Sequence, residues 1–128
     1  MTVISTPAAA APAHLQRGAD AEDAALAHLQ SRGLELLERN YRCPAGELDL
    51  VFLARGELVF VEVRYRNTDK FGGAAHSVDA AKQRKLRRAG ESFLQTRAGL
   101  AFNNCRFDVV AVTGAGPAYQ IDWIRDAF

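Results

Sequence analysis

The chain has 128 residues, 48% hydrophobic and 24% charged, with a formal net charge of +1; this suits one globular domain that buries roughly two-thirds of its unfolded surface without metal or disulfide staples. No apolar run reaches the roughly 20 residues that a membrane helix needs, so a membrane-spanning role is not expected. Cys43 and Cys105 lie outside any zinc spacing and read as reduced thiols of a cytoplasmic protein, while His14, His28 and His76 form no metal-ligand pattern.

In chain order, residues 1–16 are rich in Ala and Pro and read as a disordered tail, not a signal peptide, which leaves 17–128 as the folded domain. A first helix is expected from about Arg17 to Arg32, stopped by Gly33. Leu34 to Arg39 reads as a strand, and Asn40 to Ala45, which contains Pro44, as a connector. Gly46 to Leu53 and Glu57 to Arg64 are two more strands joined through Arg55-Gly56 as a hairpin. Arg66 to Ala75 is a Gly-containing loop, and a second helix spans about Ser77 to Arg97 with Leu86, Ala89, Gly90, Phe93 and Leu94 on its apolar stripe. Cys105 to Thr113 and Tyr119 to Ile124 close the chain as strands around a Gly114–Pro117 turn. The order is α-β-β-β-α-β-β, an α/β class with no internal repeat.

The central hairpin carries the chemistry. A two-residue turn at Arg55-Gly56 sets Ala54 opposite Glu57, which in the same register puts Asp49 opposite Glu62 and Glu47 opposite Arg64. Facing residues of an antiparallel pair have Cβ atoms roughly 4.5–5.5 Å apart, where like charges repel unless a cation lies between them. Alternation places Leu48, Leu50, Phe52, Val59, Val61 and Val63 on one face and the carboxylates on the other with Val51, Leu53, Leu58 and Phe60. A three-residue loop or a bulge would shift this register and leave Asp49 and Glu62 as ordinary solvent-facing side chains.

Two further charges point inward. Glu22 shares its helix face with Ala25, Leu26 and Leu29, and Lys82 falls inside the arc of Phe93 and Gly90, whereas Arg84, Arg87 and Arg88 fall on the opposite side. An unpaired buried charge is costly, so Glu22 and Lys82 each need a partner or a wet cleft, or else they snorkel from a helix end. Between Arg64 and Arg88 eight basic residues oppose two acids, a local charge of +6 that leaves −5 for the rest of the chain. Arg66, Lys70, Arg84, Lys85, Arg87 and Arg88 therefore form a candidate phosphate-backbone footprint, the alternative being a solvated helix face.

The succession Gly18, Glu22, Ala25, Gly33, Asn40, Gly46-Glu47-Leu48-Asp49-Leu50, Val59-Phe60-Val61-Glu62-Val63-Arg64, Phe71-Gly72, Lys82-Gln83-Arg84, Arg106-Phe107-Asp108-Val109 and Ala127-Phe128 resembles the YraN family of small bacterial proteins. That resemblance implies a restriction-endonuclease-like fold of the PD-(D/E)xK type, a central mixed sheet flanked by helices, similar to Holliday-junction resolvases. It implies that Glu22, Asp49 and Glu62 are the acids of a metal-dependent nuclease site, holding Mg²⁺ or Mn²⁺, with DNA, branched DNA included, as substrate; a homodimer stays open. The motif's final lysine is replaced by Arg64, which remains protonated at any working pH and serves only as a cation or donor, with Lys82 able to reach in from the second helix. The expectation is a metal-dependent endonuclease-like protein; a silent nucleic-acid-binding module and an interaction scaffold are the alternatives.

Overall fold

The computed structural model describes residues 13–66, 78–97 and 99–128. Two helices and a five-stranded mixed sheet follow the expected α-β-β-β-α-β-β order: α1 (Ala13–Ser31), β1 (Glu35–Cys43), β2 (Gly46–Ala54), β3 (Glu57–Arg66), α2 (Ala80–Thr96), β4 (Asn104–Thr113) and β5 (Gln120–Ile124). This α/β architecture is consistent with a restriction-endonuclease-like fold. The strands lie side by side in chain order. Neighbours are antiparallel except β3 and β4, which run parallel because α2 carries the chain back between them.

One helix covers each face. Ala21, Ala25 and Leu29 recur every four residues along α1 and pack on Leu50, Phe52, Val59, Val61, Val110 and Val112. Leu86, Ala89 and Phe93 of α2 pack on the other face with Val51, Leu58, Phe60, Phe107 and Val109. Gly90 lets α2 come close: a Cβ there would stand 3.1 Å from Phe107 Cζ and 3.2 Å from Phe60 Cε2. At the far side of the sheet, fully buried Asp108 accepts hydrogen bonds from Arg106, from Trp123 Nε1 at 2.8 Å and from the Asp126 amide at 2.9 Å, tying β4 to the residues beyond β5.

The helix ends follow local chemistry. Gly33 at φ 89° closes α1 as the Gly33 and Leu34 amides donate back to the carbonyls of Gln30 and Leu29, the paired bonds of a Schellman stop. Helix α1 nevertheless begins at Ala13, earlier than the expected Arg17, so it takes in the end of the stretch read as a tail; residues 1–12 lie outside the described region. Asp79 caps α2 by accepting from the Lys82 amide at 2.8 Å, which fixes the start at Ala80 instead of Ser77.

The largest departure from expectation is β1. It runs on through the presumed connector to Cys43 and forms a second hairpin through Pro44-Ala45, with Cys43 facing Gly46. Tertiary contacts override the loop-like composition: the Tyr41 ring meets Phe93 edge-on at 5.4 Å, and its hydroxyl lies 2.6 Å from Ser92 Oγ. Asn40, which the register places across from Asp49, sits at φ 56°, a conformation Asn tolerates better than most residues.

Candidate active site

The turn between β2 and β3 sets the geometry. Arg55 and Gly56 both have positive φ, 49° and 82°, as a type I′ turn requires. The ladder runs from Ala54 opposite Glu57 to Leu50 opposite Val61, the expected register. One step further the strands part. The Asp49 carboxylate takes over as acceptor, its Oδ2 receiving the Val63 amide at 2.8 Å. Alternation breaks at the same point. Leu48 packs with Leu86 and Phe93 on the α2 side instead of joining Leu50 and Phe52 on the α1 side.

Because the sheet opens here, groups from both of its faces reach the same place. A cleft of about 510 Å³ is lined by Glu22, Arg39, Asn40, Arg42, Asp49, Glu62 and Tyr65, among others. Glu62 is 5% exposed. Its Oε1 lies 3.8 Å from Lys82 Nζ and 3.9 Å from Arg64 Nη1, while its buried Oε2 accepts no hydrogen bond among the described residues. Glu22 enters from α1, held by the Arg39 Nε–H at 2.8 Å, and the same guanidinium donates from Nη2 to Asp23.

Burial, and then the Glu62 charge, push the Asp49 carboxyl up to about 7; the Glu22 and Glu47 charges add to this, and the Val63 amide works against it. Burial also raises Glu62, while Lys82 and Arg64 pull it back. The two carboxyls therefore resist ionising together, and with Arg64 and Lys82 beside Glu62 they form a cluster of mutually interacting charges.

Among the described residues no group of three acidic, His or Cys side chains is gathered tightly enough to hold a divalent ion; Glu22 is bonded to Arg39. Asp49 and Glu62 alone suit a hard cation that keeps several waters and takes one or two carboxylates, and Oε2 of Glu62 is an oxygen in need of a partner.

Among the other candidate residues, Arg66 ends β3 exposed, and Arg84, Lys85 and Arg88 are exposed on α2; Lys70 lies outside the described residues. Arg87 differs from its neighbours because its guanidinium sits 5.5 Å from the centroids of both Phe107 and Phe128, a packing role that competes with phosphate contact. Glu47 pairs with Arg42 across β1 at 3.8 Å, and the β2/β3 ladder ends before it would bring Glu47 to Arg64. Arg39, Asn40, Arg42 and Tyr65 also line the cleft; of these the sequence marked only Asn40, as part of the family resemblance and without a site role. The first three lie at the end of the expected strand or in the expected connector, so no face could be assigned to them.

The model of the uncharacterised protein family UPF0102 matches residues 21–112, which include every charged group gathered around Asp49 and Glu62. Relatives bearing that family name include proteins of Stutzerimonas stutzeri (54% identical, 87% of this chain and 92% of the relative), Ralstonia nicotianae (50%, covering 95% and 93%) and Nitrosococcus oceani (47%, covering 90% and 93%). With a family match over most of the folded region and relatives near half identity along nearly their whole length, the chain belongs to the UPF0102, or YraN, family.

Proposed function

We propose that the protein is a metal-dependent endonuclease of the PD-(D/E)xK kind acting on DNA phosphodiesters, branched DNA included. The observation that carries this reading is the meeting of half-buried Asp49 and buried Glu62 at the point where β2 and β3 separate, with an unsatisfied Glu62 oxygen and two cations beside it. Asp49 and Glu62 would hold Mg²⁺, which when bound acidifies a water and shields phosphate charge. Arg64 and Lys82 stand on one carboxylate and can donate to phosphate oxygens as charge develops there. Arg64 cannot act as a base. At neutral pH Asp49 keeps a proton for much of the time, and that proton must leave Oδ1 or Oδ2 before the pair can ligate. Arg84, Lys85 and Arg88 offer exposed charge for the backbone, favouring shape over sequence.

Arg64 in the motif's lysine position favours a second reading, a DNA-binding module that has lost turnover. Cleavage of branched, single-stranded and linear DNA, assayed with Mg²⁺ or Mn²⁺ in wild type and Asp49→Asn, separates the two. Metal-dependent nicking that is lost in Asp49→Asn supports the enzyme. Binding without nicking supports the module, and nicking that survives the substitution belongs to a contaminant and refutes the assignment.

A further inference from the structure

We propose that Arg39 is a positioning residue that withholds the Glu22 carboxylate from the cation site, so that the free protein's cation affinity is set by which partner Glu22 has. This rests on the reading of Asp49 and Glu62 as cation ligands.

Arg39 lies on β1 immediately before Asn40, the residue across from Asp49. Its Nε–H donates to Glu22 Oε1 at 2.8 Å and its Nη2 to Asp23 Oδ1 at 2.5 Å, so one planar fork grips consecutive acids of α1. The grip is partly sheltered, with Arg39 31% and Glu22 16% exposed, and a guanidinium fork is the side chain best shaped to hold carboxylates in fixed geometry. Glu22 and Arg39 line the same cleft as Asp49 and Glu62. Glu22 is thus a third acid lining the cleft of Asp49 and Glu62, and its orientation is dictated by Arg39. A divalent ion between Asp49 and Glu62 would attract that carboxylate, and Arg39 opposes the move. Affinity for hard cations rises with the number of charged ligands, so freeing Glu22 converts a two-carboxylate site into a three-carboxylate one.

The test is direct Mn²⁺ binding to the full chain, followed by loss of the free-ion electron paramagnetic resonance signal in the absence of DNA, with circular dichroism to establish that each variant is folded. Arg39→Gln should tighten Mn²⁺ binding about five- to tenfold. Glu22→Gln should change wild-type affinity less than twofold, yet cancel the gain when combined with Arg39→Gln. Arg39→Lys retains the charge but loses the fork, and should also tighten binding. If Asp49→Asn abolishes binding while both Arg39 variants match wild type, the cation site stands and the role of Arg39 is overturned. If Arg39→Gln tightens binding but Glu22→Gln does not cancel it, Arg39 acts only by charge across the cleft and the proposal also fails. Should neither wild type nor Arg39→Gln bind Mn²⁺ at millimolar concentration, the cation site itself is refuted and the proposal with it.

Discussion

Replacing Asp49 with Asn should make the metal-free protein more stable at alkaline pH, and the size of the effect follows from its burial. The carboxyl is raised from 3.8 to about 7, and one unit corresponds to about 1.4 kcal/mol, so ionised Asp49 costs the fold about 4 kcal/mol. The folded state holds this proton more tightly than the unfolded one. Stability from this group is therefore fully present below about pH 4 and is lost as pH rises through about pH 7, after which it is level. Between about pH 5 and about pH 8 the expected loss is about 3 kcal/mol in wild type, and Glu62, raised for the same first reason, acts in the same direction. Asn retains an acceptor for the Val63 amide and offers its own NH₂ group to Glu62. Asp49→Asn should accordingly gain about 2–4 kcal/mol near pH 8 and almost nothing near pH 4. Urea unfolding with EDTA present, followed by the fluorescence of Trp123, the chain's single tryptophan, measures both limbs. A loss of stability in Asp49→Asn near pH 8, or a wild-type curve flat across this range, would refute the picture of a strained acidic pair.

Arg64→Lys supplies the residue that the proposed nuclease reading expects, at a position 3.9 Å from Glu62; on that reading Mg²⁺-dependent cleavage should rise above wild type without a change in melting temperature, and equal or lower activity would show that the arginine is not what limits turnover. Arg84→Ala with Arg88→Ala should lower the log–log salt slope of DNA binding by about two, read by fluorescence anisotropy at several ionic strengths. Arg87→Ala should instead lower thermal stability, by about 1 kcal/mol, through loss of its stacking on Phe107 and Phe128. Gly90→Ala drives a methyl into the Phe60 and Phe107 rings and should cost about 1–3 kcal/mol in urea melts; a neutral result would mean that α2 shifts freely on the sheet.

What could be read from the sequence was what short-range chemistry dictates. Arg55-Gly56 admits few turns, so the β2/β3 register from Ala54–Glu57 to Leu50–Val61 followed from spacing; Asp49 and Glu62 lie one step beyond it, where the strands part. Helical periodicity likewise marked Glu22 and Lys82 as charges on buried stripes, and Lys82 does reach Glu62. Long-range packing hid the rest. Asn40 to Cys43 has a loop's composition and is a strand because Tyr41 finds Phe93 and Ser92 more than fifty residues away in the chain. Leu48 changes face because strict alternation fails where a side chain interrupts the ladder. Arg39 could not be placed until β1 was known to pass beside α1, and Arg87 read as a phosphate contact because nothing local announces the aromatic rings beneath it.

The bond from the Val63 amide to Asp49 Oδ2 separates two demands made on one residue. The sheet asks only for an acceptor oxygen, to keep Val63 from being orphaned where the strands diverge; a hard cation asks for a negative charge as well. Asparagine meets the first demand and fails the second, and it differs from aspartate by one terminal group. The opening between β2 and β3 can thus outlive the chemistry proposed for it. A descendant that lost its charge at this position would keep the same sheet, the same cleft and the same basic helix.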